Sequence, residues 1–203
     1  MALNKNAIVT LLEAKTWIPI SPVTDTTWDT ILENLINVVS TMIEDFVGRR
    51  VVEQLTSTTP DTITEIWTGD GTSTHFVNHP PIQSVTSLAI EDETAVDTTD
   101  TDEFRKDSET GEIFLADGRI FTEAPPLNCT LVYVGGWPIA TAPRPIWQAA
   151  LDEVKRLYKD RAANRDPIQS VSMEGQSIVY VQEQGLSRDA QAKLAPYVTR
   201  RFA

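Results

Sequence analysis

The sequence predicts an α+β protein: a small antiparallel helical bundle with an inserted β-sheet or sandwich domain and a C-terminal arm made of a hairpin and a short helix. Three observations predict it. Apolar residues recur at helical spacing before residue 50 and again between residues 146 and 158. Residues 61–136 instead alternate with a period of two between Gly and Pro turns. Two short alternating runs and a capped helix follow Pro167. The predicted domains are therefore 1–60, 61–136, 137–167 (the long core helix) and 168–203 (the arm).

Length and composition limit the class of protein. The 203 residues suffice for one medium domain, or one domain with an insert. No apolar run approaches the roughly 20 residues of a membrane span, and the N-terminus lacks the apolar region of a signal peptide. We therefore expect a cytoplasmic chain that has no contact with a membrane. The single cysteine, Cys129, excludes an internal disulfide and lies in a predicted buried strand, where an inert packed thiol is expected.

The charge is uneven along the chain. The formal net charge is −12, with 7 basic and 22 acidic residues in 1–143 but 10 basic and 7 acidic residues in 144–203. Residues 91–112 alone hold 10 acidic and 2 basic side chains. Such a surface repels nucleic acid, because affinity for phosphates comes mainly from Lys and Arg. The pattern argues against sequence-specific DNA binding, and it suits an acidic wall past which DNA slides without sticking.

Two helices are predicted at the N-terminus. Thr10-x-x-Glu13 is a capping-box pattern that begins a short helix, which Pro19 and Pro22 stop. Thr26-x-x-Asp29 is a second start signal, and Gly48 is a natural C-terminal cap. The apolar stripe predicted for this second helix repeats at 4-3-4-3-4 spacing and comprises Trp28, Leu32, Leu35, Val39, Met42 and Phe46. Fewer than three heptads without an e/g charge pattern favour a bundle helix over a coiled coil.

The next part of the chain predicts strands. Thr62–Thr68 and Thr74–Asn78 flank Gly69-Asp70-Gly71, which is a hairpin signal. Glu91–Glu112 is predicted to be a solvated acidic loop. The further predicted strands are rich in β-branched or apolar residues and comprise Ile82–Ile90, Ile113–Leu115, Arg119–Phe121 and Leu127–Val134.

The last of these strands leads into the long helix. Gly135-Gly136-Trp137-Pro138 separates them, and the helix is predicted to begin near Pro145 and to end at Asn164 and Pro167. Its apolar stripe comprises Trp147, Leu151, Val154 and Tyr158, widened by Ile146, Ala150 and Leu157. Together with the N-terminal helices, this stripe exceeds what a three-helix core clearly needs. We therefore expect Trp147, Leu151, Leu157 and Tyr158 to contact a second copy of the chain.

The C-terminal arm is predicted to lack contacts that stabilise it. Ser170–Met173 and Ser177–Val181 form a two-stranded ribbon, which is marginal by itself in water. Ser187 caps a helix from Arg188 to about Ala195, too short to persist alone. The segment is also basic, whereas the chain before residue 144 is acidic. The hypothesis is that the arm becomes ordered on a protein partner; the alternative is that it folds back onto its own subunit.

No catalytic, cofactor-binding or metal-binding set can be proposed from the sequence. In a strand, His75 and His79 lie about 13 Å apart at 3.3 Å per residue, too far to share a metal. Asp97, Asp100 and Asp102 lack the Gly and the closing Glu of a calcium loop. We therefore expect a protein that is not an enzyme and has no cofactor.

Several motifs, taken in order, resemble the head–tail connector (adaptor) proteins of tailed bacteriophages. They include Glu44–Arg49 at a helix end, Trp67–Gly71, Pro80–Val85 and Leu194–Tyr197. The most informative is Tyr133-x-Gly-Gly-Trp-Pro138, which is followed by a helix carrying Gln-Ala-Ala and Leu-Tyr-x-x-Arg. Together these pieces cover most of the chain.

The resemblance implies a non-enzymatic structural protein of the virion neck, assembled in the host cytoplasm. It implies a ring of twelve subunits beneath the portal that extends the DNA channel and carries the next neck or tail protein. The portal then becomes the expected partner of the arm. The residues expected to bind it are the apolar and basic ones of that segment, namely Val171, Met173, Ile178, Tyr180, Arg188, Lys193, Tyr197, Arg200 and Arg201. The alternative is a soluble β-rich adhesion or carbohydrate-binding module.

Overall fold

The computed structural model describes residues 2–20, 23–53, 61–91, 96–116, 118–138, 141–162, 170–173, 176–179 and 185–198. Contacts divide the chain into two compact units. Met1–Gly48 and Pro143–Val198 form one, here called the helical unit. Arg49–Ala142 form the other, here called the β unit. The β unit is thus inserted into the sequence of the helical unit, and the predicted α+β class is confirmed.

The helical unit contains four α-helices and one small hairpin among its described residues. In chain order these are α1 (Leu11–Trp17), α2 (Asp29–Val47), α3 (Arg144–Ala162), the paired strands β7 (Ser170–Met173) and β8 (Gln176–Val179), and α4 (Arg188–Leu194). The two long helices α2 and α3 contact each other and both short helices, so they form the centre of this unit. Its small Ala149 and Ala150 are both fully buried, which lets neighbouring backbones approach closely.

The capping box predicted for α1 is confirmed. The Thr10 hydroxyl accepts from the Glu13 amide at 3.2 Å, and the Glu13 carboxylate accepts from the Thr10 amide at 2.8 Å. At the far end of the helix, the buried Lys15 ammonium donates to the carbonyl oxygens of Val23 and Asp25 at 3.2 and 2.7 Å. It also forms an ion pair with Asp29. The ammonium therefore ties the segment between α1 and α2 to α1.

The predicted start signal of α2 is wrong in its detail. Trp28, not Thr26, occupies the N-cap position, and no side chain caps the helix. The reason is local: the Thr26 carbonyl accepts from the Asp29 amide at 3.1 Å in a turn, and Asp29 is already paired with Lys15. The C-terminal prediction is confirmed, since Gly48 caps α2 in the left-handed conformation with φ 76°.

The buried face of α2 also differs from the predicted stripe. Leu35, Met42 and Phe46 are only partly buried. Leu32 and Val39 are buried as predicted, whereas the other fully buried apolar residues lie one position after the predicted ones and comprise Ile36, Ile43 and Val47. A helix with apolar residues around more than half of its circumference fits several stripes of the same spacing, so periodicity alone cannot choose among them.

The β unit contains two three-stranded antiparallel sheets. Its strands in chain order are β1 (Ile63–Trp67), β2 (Thr74–Phe76), β3 (Ile82–Ile90), β4 (Phe104–Asp107), β5 (Glu112–Leu115) and β6 (Cys129–Gly135). The first sheet has the order β1-β6-β3 and the second has the order β2-β5-β4. Their buried sides form a common core that includes Leu88, Ile113, Phe121 and Leu131. Cys129 is in this core and is fully buried, as predicted.

The predicted hairpin between residues 62 and 78 is wrong, because β1 and β2 belong to different sheets. Gly69-Asp70-Gly71 instead connects the sheets. The Gly69 amide donates to Asn128 Oδ1 at 3.0 Å, and a Cβ at this position would lie 2.3 Å from the Thr122 carbonyl oxygen. Asp70 closes a local turn by accepting from the Thr72 amide at 3.0 Å. Contacts with residues distant in sequence therefore override the local turn signal.

Two other predictions in this part are corrected. Glu91–Glu112 is not simply a loop: β4 lies within it, Phe104 is 4% exposed, and Val96 forms a bridge with Leu88. Arg119–Phe121 is not a strand, although Phe121 is fully buried. Among the described acidic residues that suggested a loop, Asp97 and Asp100 lie at exposed turns and accept from the amides two residues later at 2.9 and 2.8 Å.

A buried polar cluster lies under the first sheet. Glu65 faces the core of the β unit and accepts from the Tyr133 hydroxyl and, at 2.9 Å, from the Asn78 amide. The Tyr133 hydroxyl accepts from the His79 amide at 3.2 Å, and His79 Nδ1 accepts from the Arg50 amide at 3.0 Å. Burial and the adjacent Glu65 carboxylate raise the pKa of Tyr133 far above its ordinary value. The cluster therefore holds the phenol neutral and satisfies the buried carboxylate.

His75 is a second buried polar group of the β unit. Its imidazole stacks on Trp67, with ring centroids 3.9 Å apart and planes 8° from parallel. The buried Nε2 has no hydrogen-bond partner among the described residues. Burial lowers the pKa of His75, while the carboxylates of Glu65 and Asp70 partly oppose the shift. Protonation of His75 is therefore easier in the unfolded chain than in the folded one.

Mild acid is expected to destabilise the β unit through His75. Because the folded-state pKa is lower than the unfolded value of about 6.5, the stability that this residue contributes is present above that pH and is lost below it. Thermal unfolding followed between about pH 7.5 and 5 should show a falling Tm in the wild type and a smaller fall in His75→Phe, which keeps the stacked ring. His79 is present in both proteins, so equal falls would exclude His75 as the cause.

The chain enters and leaves the β unit at one place. The Trp137 amide donates to the Val51 carbonyl at 2.9 Å, and the Glu53 amide donates to the Trp137 carbonyl at 2.9 Å. The Arg49 guanidinium lies 4.6 Å from the Trp137 ring centroid, a cation–π contact. Gly136 has φ 96°, a conformation that favours glycine, and lies against the Val52 backbone. The two connections are therefore bonded side by side.

Candidate assembly surfaces

The four residues predicted to contact a second copy all lie on α3, but they differ in exposure. Leu151 is 1% exposed, so its side chain packs in the core of its own subunit and is not available to a neighbour. Trp147, Leu157 and Tyr158 are partly exposed. A change at one of these three positions therefore affects both the subunit and anything packed on it.

Trp147 already has partners within the helical unit. Its ring packs edge-to-face on Trp17, with centroids 5.7 Å apart, and its Nε1 donates to Glu13 Oε1 at 3.0 Å. Trp17 Nε1 in turn donates to Asp152 Oδ1 at 3.1 Å. The two indoles thus fasten α1 to α3, an intramolecular role that the periodicity of α3 did not reveal.

The surface of α2 carries a second apolar stripe. Ile31, Leu35, Val38 and Met42 follow one another at spacings of four, three and four residues, and we call them the α2 outer stripe. Val38 is 48% exposed and the other three are partly buried. A contiguous apolar strip that is partly open to solvent is typical of protein–protein interfaces. The sequence signal was the apolar width of α2, which is greater than one buried face requires.

An aromatic pair extends the apolar surface of the helical unit near the start of α2. Trp28 is 36% exposed and packs edge-to-face on Tyr158, with ring centroids 5.7 Å apart. This contact brings a predicted interface residue of α3 next to α2. The helical unit therefore offers a mixed aliphatic and aromatic surface to a partner.

The residues predicted to bind the portal are only partly described by the structure. In the hairpin, Val171 pairs with Ile178 and Met173 pairs with Gln176 in antiparallel register. Tyr180, Arg200 and Arg201 lie outside the described residues. The predicted strand Ser177–Val181 corresponds to β8, which begins one residue earlier and is described as far as Val179.

The helix α4 is ordered by packing on its own chain and needs no partner protein for this. Ser187 caps it as predicted, accepting from the Ala190 amide at 3.3 Å. Its buried side chains Ala190 and Leu194 are 2% and 0% exposed, and the helix packs on α3 and α2 of its own chain. The hypothesis that the whole arm lacks stabilising contacts is therefore wrong for α4, because a two-turn helix can be stabilised by tertiary packing alone.

The polar residues of α4 and the residues that follow it differ in how far they are used in contacts within the chain. Lys193 donates to Asp152 Oδ2 on α3 at 2.8 Å, so its charge is used within the chain. Arg188 is exposed and Tyr197 is partly exposed. Of the residues that were predicted to bind the portal on this helix, Arg188 is the most accessible.

An ion pair with a buried carboxylate attaches the start of α4 to α3. Glu153 is 1% exposed and accepts from Arg156 Nε at 2.9 Å and from the Ser187 amide at 3.1 Å. The Arg156 guanidinium also donates to the Gly185 carbonyl at 2.9 Å. Sequence reasoning missed Glu153, since an acidic residue within an amphipathic helix is normally a solvated one.

The described residues give little indication of a small-molecule site. Two surface grooves of about 550 Å³ are both bordered by Arg105 and Lys106; one lies between β3 and β4, and the other lies on the second sheet. Among the residues that the structure describes, no group of three or more His, Cys, Asp or Glu side chains could hold a metal ion. None of the helices in the same residues combines the length and apolar character that a membrane span requires.

Comparisons with known proteins point to one group. The family model described as "HCP: Head completion protein" matches residues 7–201. Three solved structures are similar over 100% of this chain: the neck of an empty gene transfer agent particle computed with C6 symmetry (TM-score 0.64, 13% identity, 95% of that chain), the virion of the native particle (0.60, 13%, 95%) and the neck of the native particle computed with C12 symmetry (0.57, 15%, 98%). No curated protein sequence matches significantly.

Proposed function

Because the chain belongs to the head completion protein family, we propose that it is a structural protein of the virion neck that joins the head to the tail. It assembles in the host cytoplasm as a ring of identical subunits, for which we propose twelve copies. The family match over residues 7–201 carries this proposal. The similar structures that are described as necks with C6 and C12 symmetry support a ring. The role is structural rather than catalytic, and the buried carboxylates Glu65 and Glu153 serve the fold.

The ring lies beneath the portal and extends the DNA channel. Residues 49–142 hold 16 acidic and 5 basic side chains, so the β unit is strongly acidic. An acidic surface repels phosphates, which lets DNA pass without specific binding. The downstream neck or tail protein binds the ring on the side away from the portal.

The hairpin Ser170–Val179 is the part of the predicted arm that still fits a portal contact. A two-stranded ribbon has unpaired edges and buries little apolar surface, so a partner can extend or cover it. Exposed Arg188 and partly exposed Tyr197 accompany it in sequence, together with the basic residues Arg200 and Arg201 at the end of the chain.

Neighbouring subunits contact each other in part through the helical unit. The α2 outer stripe and the partly exposed Trp28, Leu157 and Tyr158 supply the apolar surface. A ring requires a head-to-tail contact between two different surfaces, so these residues face a different surface of the next copy. Trp147 contributes mainly by holding α1 in place.

Val38→Asp is expected to prevent ring formation while leaving the fold intact. Val38 is 48% exposed, so the carboxylate is solvated in the monomer but would be buried in the assembly. A penalty of ~3 kcal/mol for that burial would weaken each contact about 100-fold. Electron microscopy and native mass spectrometry, on the protein alone and after mixing with portal-bearing heads, measure the outcome.

Val23→Asp is the matched control, because Val23 is 39% exposed outside the α2 outer stripe. It should assemble like the wild type. If Val38→Asp also assembles normally, the stripe is not part of the contact. The proposed function fails if the wild type forms no ring in either setting, or if particles made without the protein still join heads to tails.

A further inference from the structure

The first sheet of the β unit has one face in the core and an opposite face that is open along part of its length, since Val134 near the end of β6 on that opposite face is only 5% exposed. Leu131 and Tyr133 of the central strand β6 point into the core and are both fully buried. The residues that alternate with them form two rows across the three strands, according to the strand register. These rows, here called the outer sheet face, are Thr64–Val132–Ser87 and Ile66–Thr130–Ala89.

The outer sheet face is accessible and uncharged. Ile66 is 56% exposed, Thr64, Ser87 and Ala89 are exposed, and the two residues of β6 are partly exposed. All six side chains are neutral, and most are β-branched or small. The surface is therefore flat and can pack closely against another flat surface.

Of the two sheets in the β unit, only the first has an outward face without charge. The outward rows of the second sheet are Thr74–Phe114–Arg105 and Phe76–Glu112–Asp107, so three of those six positions are charged. An exposed face of an antiparallel sheet is normally polar, and the β unit as a whole has a net charge of −11. A neutral face on so acidic a unit therefore needs an explanation.

In β1 the charged side chain is on the buried face of the sheet and a large apolar side chain is on the exposed face, which is the opposite of the usual arrangement. Glu65, the one charged residue of the strand, points into the core and is 8% exposed, whereas the adjacent Ile66 is 56% exposed. Turning a carboxylate inwards is costly unless it is hydrogen-bonded, and here Tyr133 and the Asn78 amide satisfy it. A shift of register by one residue would exchange the two side chains. The observed register makes sense if Ile66 is covered when the protein assembles.

We infer that the outer sheet face is a contact between neighbouring copies of this chain, an inference that rests on the proposed ring. A basic partner could bind the acidic surface of the β unit almost anywhere. The β unit of a second copy, with its own net charge of −11, would be repelled from that acidic surface. Contact between two such units is least opposed where charge is absent, and interface cores are generally depleted of charged residues. The outer sheet face meets that requirement.

The inference is tested with two identical substitutions at exposed serines of the β unit. Ser87→Glu places a carboxylate on the edge strand β3, in the row Thr64–Val132–Ser87 of the outer sheet face, whereas Ser108→Glu places one in an exposed turn after β4. Native mass spectrometry and electron microscopy should show at least a tenfold weaker ring for Ser87→Glu and an unchanged ring for Ser108→Glu. The settings are the purified protein and its mixture with portal-bearing heads, and equal melting curves by circular dichroism verify folding.

A second variant separates charge repulsion from loss of fit. Ala89→Lys introduces the opposite charge at the same face and should also weaken the ring, since burying either charge without a partner is unfavourable. If both variants assemble like the wild type, the outer sheet face is not a contact between copies, while the proposed function stands. If both form rings but the particles lack tails, the face binds another neck protein and the inference is overturned. A wild type that forms no ring in either setting overturns the proposed ring and the inference together.

Discussion

Replacing Glu153 with alanine is expected to lower the free energy of unfolding of the helical unit by about 1–3 kcal/mol, the range found when a buried hydrogen-bonding group loses its partner. The carboxylate is 1% exposed and accepts hydrogen bonds from Arg156 and from the Ser187 amide. Its loss leaves the Ser187 amide without its acceptor and removes the closest carboxylate from the Arg156 guanidinium, which keeps Asp160 at 3.7 Å and the Gly185 carbonyl at 2.9 Å. Urea unfolding followed by far-ultraviolet circular dichroism reports on this unit, because it contains the α-helices.

The control is Glu109→Ala, which removes an exposed carboxylate from a turn and should change stability by less than about 0.5 kcal/mol. The double variant Glu153→Ala/Arg156→Ala should be less destabilised than the sum of the single variants, since it leaves no unpaired charge behind. Equal and additive losses would mean that the ion pair does not hold α4 against α3.

Leu194→Ala is expected to destabilise the helical unit by about 2–5 kcal/mol, the usual range for shortening a buried leucine. Leu194 is fully buried on α4, which packs on α3 and α2. The same urea titration measures the effect. The result bears on function, because a helix that binds only a partner protein would tolerate the change in the free subunit.

Leu12→Ala is the matched control for this prediction. Leu12 is 64% exposed on the short helix α1, so the same atoms are removed without opening a cavity in the core. A change of less than about 0.5 kcal/mol is expected there. If Leu194→Ala is as mild as Leu12→Ala, then α4 is not part of the core and the original arm hypothesis regains its basis.

The features that depend on neighbouring residues could be predicted from the sequence. The capping box of α1, the Gly48 cap of α2, the start of α3 beside Pro145 and the Ser187 cap of α4 are all confirmed. Each one is a contact within about four residues, so its chemistry is visible in the order of the residues. The resemblance to head–tail connectors is confirmed by the family match.

The features that depend on distant residues could not be predicted. Gly69-Asp70-Gly71 has the composition of a hairpin turn, but Asn128 accepts from the Gly69 amide across 59 positions and places β1 and β2 in different sheets. The outward position of Ile66 likewise depends on its register with β6. A local pattern predicts that a strand forms, but the packing of the whole core determines which strand pairs with it.

The candidate contact surfaces could be predicted only in part, for a similar reason. The expected α3 contacts included Leu151, which the fold buries, and omitted the α2 outer stripe, which it leaves accessible. Both helices are apolar over a wide arc, and the sequence does not state which part of the arc a neighbouring helix covers. The predicted contacts of the hairpin Ser170–Val179 with the portal stay predictions.

The paired connections at Val51–Glu53 and Trp137 have an evolutionary consequence. When the two ends of an inserted segment lie side by side, the host domain needs only a short link to close the gap that the segment leaves. Genes for this scaffold could therefore gain, lose or exchange the whole segment between Gly48 and Pro143 without redesigning the helices on either side. The hydrogen bonds between Trp137 and residues 51 and 53 lie within the segment, so the segment keeps its own two ends together wherever it is inserted. Diversity among such chains should accordingly concentrate between α2 and α3.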